Sequence, residues 1–185
     1  MNTWIETDRL ILRDVREEDA PGFFELDADP EVHRFLGNQP VQTIEESEAV
    51  IQLIQRQYRQ NGIGRWSVLD KTSGEFLGWS GLKYETQVRS QPYYDLGYRF
   101  RQSCWGKGIA TEAALAVLQY GFEEMKLAEI CAAADAGNLA SQGVLQKVGM
   151  VFLETFEFDG SLHHWYRQTK DEWVRFLKND GGVIL

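Results

Sequence analysis

Only two cysteines, Cys104 and Cys131, occur in the 185 residues, and they do not have metal-ligand spacing. So few thiols cannot build a disulfide scaffold, and the expectation is a reduced protein of the cytoplasm. A reactive Cys104 beside a glycine turn is weighed against a buried, inert thiol, and the second is favoured. The three histidines form no cluster with other ligating residues, so no metal is expected. Basic residues are also short, with 19 Lys and Arg against 28 Asp and Glu, a net charge of −9. That balance argues against general nucleic-acid binding, which needs a basic surface, and favours approach of a cationic acceptor such as an amine. No apolar run approaches the roughly 18 residues of a membrane span. The opening Met1–Asp8 lacks the basic and apolar regions of a signal peptide, so neither membrane nor export is expected. Repeats, low-complexity tracts and interdomain linkers are absent. What remains is 43% hydrophobic, with six Trp, seven Tyr and ten Phe. That suits one buried domain over 1–185, with its core at about 7–178.

The most informative stretch is Arg101–Glu112, Arg-Gln-Ser-Cys-Trp-Gly-Lys-Gly-Ile-Ala-Thr-Glu. Before it, Tyr94, Leu96, Tyr98 and Phe100 alternate as in a strand. After it, Ala110, Ala113, Ala114, Val117, Leu118, Phe122 and Met125 recur with helical spacing. Gly106 and Gly108 therefore lie where a strand turns into a helix, whose first amides are unpaired and whose dipole favours an anion. Glycines admit close approach of a ligand, and a pyrophosphate suits such a turn. The P-loop pattern is excluded, because Gly106-Lys107 is followed by Gly108 and Arg101 stands where the first glycine is required. A dinucleotide fingerprint lacks its third glycine at Thr111 and would open on an earlier strand. A tight turn without a ligand remains the plain alternative.

Local signals order the rest of the chain. Thr7–Asp14 reads as a first strand, with Leu10 and Leu12 on one face. Arg16–Asp19 and Pro21 open a helix packed by Phe23, Phe24 and Leu26. Thr43-Ile-Glu-Glu46 is a capping box for a helix carrying Val50, Ile51, Ile54 and Tyr58, broken at Asn61-Gly62. Arg65–Leu69 and Glu75–Tyr84 flank a turn, and Gly78 and Gly81 imply a close approach of backbone or ligand. Glu85–Pro92 is a polar loop, Glu129–Ala134 a short strand, and Asn138 the cap of a helix that stops at Gly149. A second hairpin, Met150–Phe158 and Ser161–Thr169, turns on Asp159-Gly160. Lys170–Lys178 closes as an amphipathic segment burying Trp173, Val174 or Phe176, and Leu177, and Gly181-Gly182 begin a frayed tail. The order is β-α-α-β-β-β-α-β-α-β-β, an α+β domain whose mixed, mostly antiparallel central sheet is flanked by helices.

Trp-Gly-Lys-Gly-Ile-Ala-Thr-Glu-Ala resembles the acetyl-CoA pyrophosphate loop of the GNAT acetyltransferases, in the form found in the RimJ/RimL branch. Asn138-x-x-Ser141 with Lys147-x-Gly149-Met150 is similar to the second signature of that family, and the element order agrees. The resemblance runs from about Thr7 to Trp173. It implies acetyl-CoA as co-substrate, bound by Trp105, Gly106, Lys107, Gly108, Ile109, Ala110 and Thr111. Asn138 would hold the pantetheine arm, unless it is a helix cap alone, and backbone groups around Phe100 would hold the same arm. Three departures stand out: Ser103 where many relatives have Arg or Gln, Met150 for Phe, and Leu145 where many carry a thiolate-protonating Tyr.

Acetyl transfer to an amine needs a base for the ammonium, a donor for the developing oxyanion and stabilisation of the thiolate. Asp95, where the branch carries Glu in Glu-Ile-Gly-Tyr, is the expected base, with Glu85 and His33 in reserve. Ser141 is the expected thiolate partner, while His163 and His164 are read as rim residues. The implied activity is N-acetylation of a protein N-terminal amine by direct attack, in a monomer or homodimer. A small-molecule acceptor (amino acid, polyamine, antibiotic) and a noncatalytic acyl-CoA-binding module are the alternatives.

Overall fold

The computed structural model describes residues 4–179; the Gly181-Gly182 tail lies outside them. Strand β1 is Trp4–Glu6, a strand that sequence reading did not anticipate, and it pairs antiparallel with β2, Leu10–Asp14. The turn between them explains why the expected strand starts at Leu10 rather than Thr7: Thr7 Oγ1 accepts from the Leu10 amide at 2.9 Å. A short 3₁₀ turn at Glu17–Asp19 leads into α1, Ala20–Asp27, and then the four-residue α2, Pro30–His33. Helix α3, Ile44–Asn61, opens with the Glu46 carboxylate accepting from the Thr43 amide at 3.0 Å and ends at Gly62 in the left-handed region.

The central strands β3, Arg65–Asp70, β4, Phe76–Glu85, and β5, Tyr93–Phe100, form an antiparallel meander. A Cβ on Gly78 would stand 2.1 Å from the Arg99 carbonyl oxygen, so it is backbone rather than a ligand that approaches there. Helix α4, Ile109–Gln119, widens into a π turn over Tyr120–Glu124 and is followed by β6, Glu129–Asp135. Then come α5, Leu139–Lys147, the hairpin β7, Val151–Phe158, and β8, Ser161–Thr169, and finally α6, Lys170–Asn179. The hairpin turns through Asp159 and Gly160, both at positive φ (50° and 75°), the twist that two-residue hairpins favour.

The eight strands of the described residues join one sheet, in the order β1-β2-β3-β4-β5-β6-β8-β7. Its larger core lies on one face, where Leu96 and Phe100 pack with Ala113, Ala114, Val117, Leu118 and Phe122, Leu145 and Val148 of α5, and Trp173 of α6. On α6 it is Phe176 and Leu177 that join this core, while Val174 is exposed. The opposite face carries a second cluster in which Val15, Ala20, Phe23, Ile51 and Ile54 pack with Phe76 and Trp79. Asp19, expected simply as a helix-start acid, is buried under this layer. Its carboxylate accepts two bonds from Arg13 (2.8 and 2.7 Å), one from Ser67 (2.6 Å) and one from the Arg16 amide (2.9 Å).

One seam in the sheet matters for function. β5 and β6 are its parallel neighbours, and a single residue pair, Asp95 opposite Cys131, is in register between them. Beyond that pair, Leu96–Phe100 continues only with β4, and Ala132–Asp135 only with β8. The sheet therefore splits into a V that opens toward the carboxyl ends of both strands.

Candidate active site

The glycine turn lies at the mouth of this V. A short 3₁₀ turn, Gln102–Cys104, carries the chain from β5 to Trp105, and the Trp105 indole donates to the Phe100 carbonyl at 2.9 Å. That carbonyl, expected to serve a ligand, is thus used to pin the loop to the strand. Gly106 and Gly108 have φ of 71° and 78°, and Gly108 is the N-cap of α4. A glycine cap has no side chain to pair with the first-turn amides of Ile109, Ala110 and Thr111, so these remain for another acceptor. A Cβ on Gly106 would meet nothing within 4 Å, and one on Gly108 only the Arg9 Nη2, at 3.4 Å. Unpaired donors, open space and a helix N-terminus together fit a phosphate group. Ile109 is buried in the core, so only its backbone can serve such a ligand, whereas Trp105 and Lys107 are exposed.

Sequence reading missed the clamp behind this loop. Glu112, the Glu of the Thr-Glu-Ala run, does not face the cradle. Its buried carboxylate accepts from Thr7 Oγ1 (2.6 Å), the Arg9 amide (3.0 Å) and Arg9 Nε (2.6 Å). Arg9 Nη1 then donates to the Lys107 carbonyl at 2.9 Å. About a hundred residues of sequence separate these partners, so no local spacing could have revealed them.

Across the V, the Asn138 side chain caps α5 by accepting from the Ser141 amide at 3.1 Å. Ser141 is tied to β5: the Tyr98 hydroxyl lies 3.0 Å from its Oγ and donates to its carbonyl oxygen at 3.0 Å. Burial pushes the Tyr98 phenol well above its ordinary value, so it stays a neutral hydrogen-bonding group. Gln142 fastens α5 to the loop before it, donating to the Asp135 and Ala136 carbonyls (3.2 and 2.9 Å), and its Oε1 meets His164 Nδ1 at 3.1 Å. His164 otherwise meets Phe152 edge-on, and His163 meets Phe158 edge-on and Phe156 at a tilt, within the last hairpin.

Asp95 is on the opposite face of β5 from Tyr98, because side chains alternate along a strand. Arg65 of β3 pairs with its carboxylate and also bonds the Asp95 and Gly81 carbonyls. Burial raises the Asp95 carboxyl above its usual range, while the Arg65 guanidinium pulls the other way. Trp79 lies between two arginines of this face, 5.5 Å from Arg65 and 5.1 Å from Arg99. Arg99 donates to the buried Asp27 at 2.5 Å, and Asp27 is 3.6 Å from His33. Burial and Arg99 lower the His33 pKa, keeping the imidazole neutral, and its Nδ1 has no partner among the described residues. Burial works to raise the Glu85 carboxyl, yet Lys83 and the amides of Gln87 and Thr86 hold it below its ordinary value. Arg89, from the 86–92 loop, stacks on Phe156 and Trp165 at 4.9 Å each and pairs with Glu154, fastening that loop across the seam.

Both cysteines are free and buried, and burial raises both thiols, Cys131 to about 12. Neither offers a thiolate at neutral pH. No group of three or more His, Cys, Asp or Glu that could hold a metal occurs among the described residues, and none of their helices is long and apolar enough to cross a membrane.

Residues 9–151 match the family described as acetyltransferase (GNAT) domain. The uncharacterised protein YkkB of Bacillus subtilis is 34% identical over 83% of this chain and 88% of its own. The putative ribosomal N-acetyltransferase YdaF of the same species is 30% identical over 75% and 77%. The FsC-acetyl coenzyme A-N(2)-transacetylase of Aspergillus fumigatus is 28% identical over 94% and 79%. Among solved structures, a GNAT-family acetyltransferase from Bacillus anthracis superposes with a TM-score of 0.78 at 25% identity, covering 91% of this chain and 99% of that one. The ribosomal L7/L12 acetyltransferase RimL shares the fold at a TM-score of 0.76 and 16% identity, over 91% and 95%. The chain belongs to the GNAT acetyltransferase family and is an acetyl-CoA-dependent N-acetyltransferase.

Proposed function

We propose that this enzyme acetylates the amine of a protein N-terminus by direct attack within a ternary complex, in the reducing cytoplasm. The observation that carries the reading is the V between β5 and β6, with an uncapped glycine-loop helix on one arm and the Asn138–Ser141 turn on the other. When bound, acetyl-CoA supplies a thioester that an amine can attack. On the face bearing α4, the amides of residues 106–111 would hold its pyrophosphate, and the Asn138 side chain with backbone near Phe100 its pantetheine arm. The Ser141 hydroxyl would donate toward the departing sulfur, with the Tyr98 proton turned from the Ser141 carbonyl to the Ser141 Oγ. From the opposite face Asp95 would take the proton of the ammonium, and its raised pKa suits that task. The two reactants would then meet at the seam, where direct attack requires that they be held within reach of each other.

The acceptor side has a specific wall. A Cβ on Gly137 would lie 3.3 Å from Phe35, so the chain after α2 abuts the loop that leads to Asn138. Likeness to the putative ribosomal enzyme favours a protein acceptor, and a small-molecule amine is the second reading. Thiol release from acetyl-CoA, measured with N-terminal peptides and with free amines, separates them. Faster release with peptides is the expected result. Faster release with a small amine transfers the assignment to the second reading, and no release with any amine leaves a noncatalytic acyl-CoA-binding module.

A further inference from the structure

We propose that Arg9 is a positioning residue of the phosphate cradle, fixing the direction of the Gly108 amide from outside the loop. The proposal rests on the reading of residues 106–111 as the acetyl-CoA phosphate site. A trans peptide is planar, with its C=O and N–H pointing in opposite directions. The bond from Arg9 Nη1 to the Lys107 carbonyl therefore turns the Gly108 N–H away from Arg9. Gly108 itself, at φ 78°, has no side chain to restrict that peptide plane, so an external restraint is needed to hold it.

Glu112 makes the restraint rigid. It grips the Arg9 Nε and the Arg9 amide, and the Nη2 stands 2.6 Å from the same carboxylate. Thr7 adds its hydroxyl to the other oxygen. Because Glu112 sits in the first turn of α4, the helix and the loop entering it are locked to one guanidinium. The charge is also close to the loop: Arg9 is half exposed, and its Nη2 would lie 3.4 Å from a Cβ on Gly108. A cation there adds to the helix N-terminus without occupying the space above Gly106, where nothing lies within 4 Å.

The test is calorimetric titration with CoA, joined to steady-state kinetics, on folded Arg9→Ala and Arg9→Lys, with Gly108→Val as the control for the loop itself. Arg9→Ala is expected to weaken CoA about tenfold to a hundredfold. It should raise KM for acetyl-CoA by a similar factor, with kcat and the acceptor KM within about twofold of wild type. Arg9→Lys keeps the charge beside Glu112 but loses the planar fork that reaches both Glu112 and Lys107. A loss of about fivefold is expected for it, and it decides the matter if Arg9→Ala does not fold. A merely structural arginine would lower the melting temperature without splitting KM from kcat. Unchanged CoA affinity in folded Arg9 variants while Gly108→Val binds poorly overturns the proposal and leaves the loop reading standing. Unchanged affinity in all three overturns both.

Discussion

Asp95 and Ser141 project from opposite sides of the seam, and their assigned roles separate kinetically. Asp95→Asn should lower kcat on the order of a hundredfold or more and remove the acidic limb of the pH–rate profile. The midpoint of that limb should lie above the ordinary carboxylate range, because burial raises the Asp95 pKa. The loss should shrink at high pH, where more of the amine is already neutral. Ser141→Ala should cost less, about tenfold to a hundredfold, since water can partly replace the hydroxyl. CoA affinity should be nearly unchanged in both variants, and wild-type turnover with an unaltered profile would refute both roles. A second residue-scale prediction concerns Asp19. Burial alone would raise its pKa, but bonds from Arg13, Ser67 and the Arg16 amide leave it lowered. Its contribution to stability is therefore complete above the unfolded value of about 3.9 and is lost as pH falls through the lower folded value. Asp19→Ala removes the buried carboxylate that Arg13 pairs with, leaving the guanidinium the Asp14 carbonyl and Glu18 at 3.9 Å, and should cost about 3–5 kcal/mol at neutral pH. In urea titrations that difference should narrow below about pH 4. A difference constant with pH would contradict the assignment.

At the scale of elements, local signals were legible and distant pairings were not. Thr43 with Glu46 announced the start of α3, Asp159-Gly160 the last hairpin, and Gly106 with Gly108 the turn into α4, because each signal lies within a few residues of the backbone it shapes. β1 escaped notice because it is three residues long and exists through its pairing with β2. The Arg65 partner of Asp95 and the Tyr98 partner of Ser141 were hidden for the same reason, since chain distance carries no trace of which strands become neighbours. On α6, spacing alone left Val174 and Phe176 as alternatives, and the aromatic column decides between them. Trp173 stacks on Phe122 at 5.7 Å and on Phe176 at 5.8 Å, which turns Val174 outward. Trp173→Ala should cost about 3–5 kcal/mol in denaturant unfolding, as expected for a large side chain removed from a core. Trp173→Phe should cost much less, because the indole Nε1 has no hydrogen-bond partner among the described residues. Equal costs for the two variants would show that the indole makes a bond this packing does not provide.

The described residues form one sheet divided at its parallel seam, and the proposed chemistry depends on that division. A sheet paired continuously from β1 to β7 would leave no room between the glycine loop and the Asn138 turn. The seam survives because each arm is anchored separately. Arg9 and Glu112 tie the α4 arm to the first hairpin, while Gln142 ties α5 to the loop after β6. Tyr98 spans the gap to Ser141, and Arg89 fastens the other face. The central claim is that the gap is an acetyl-CoA site whose phosphates rest on the glycine loop. Calorimetric titration of CoA into wild type and Gly108→Val tests it most directly, because Gly108 holds φ at 78°, a conformation that a β-branched residue rarely adopts, so the substitution displaces the turn that presents the amides. The account predicts affinity lower by at least tenfold, about 1.4 kcal/mol, in a variant that remains folded. A folded Gly108→Val protein that binds CoA as tightly as wild type would contradict it.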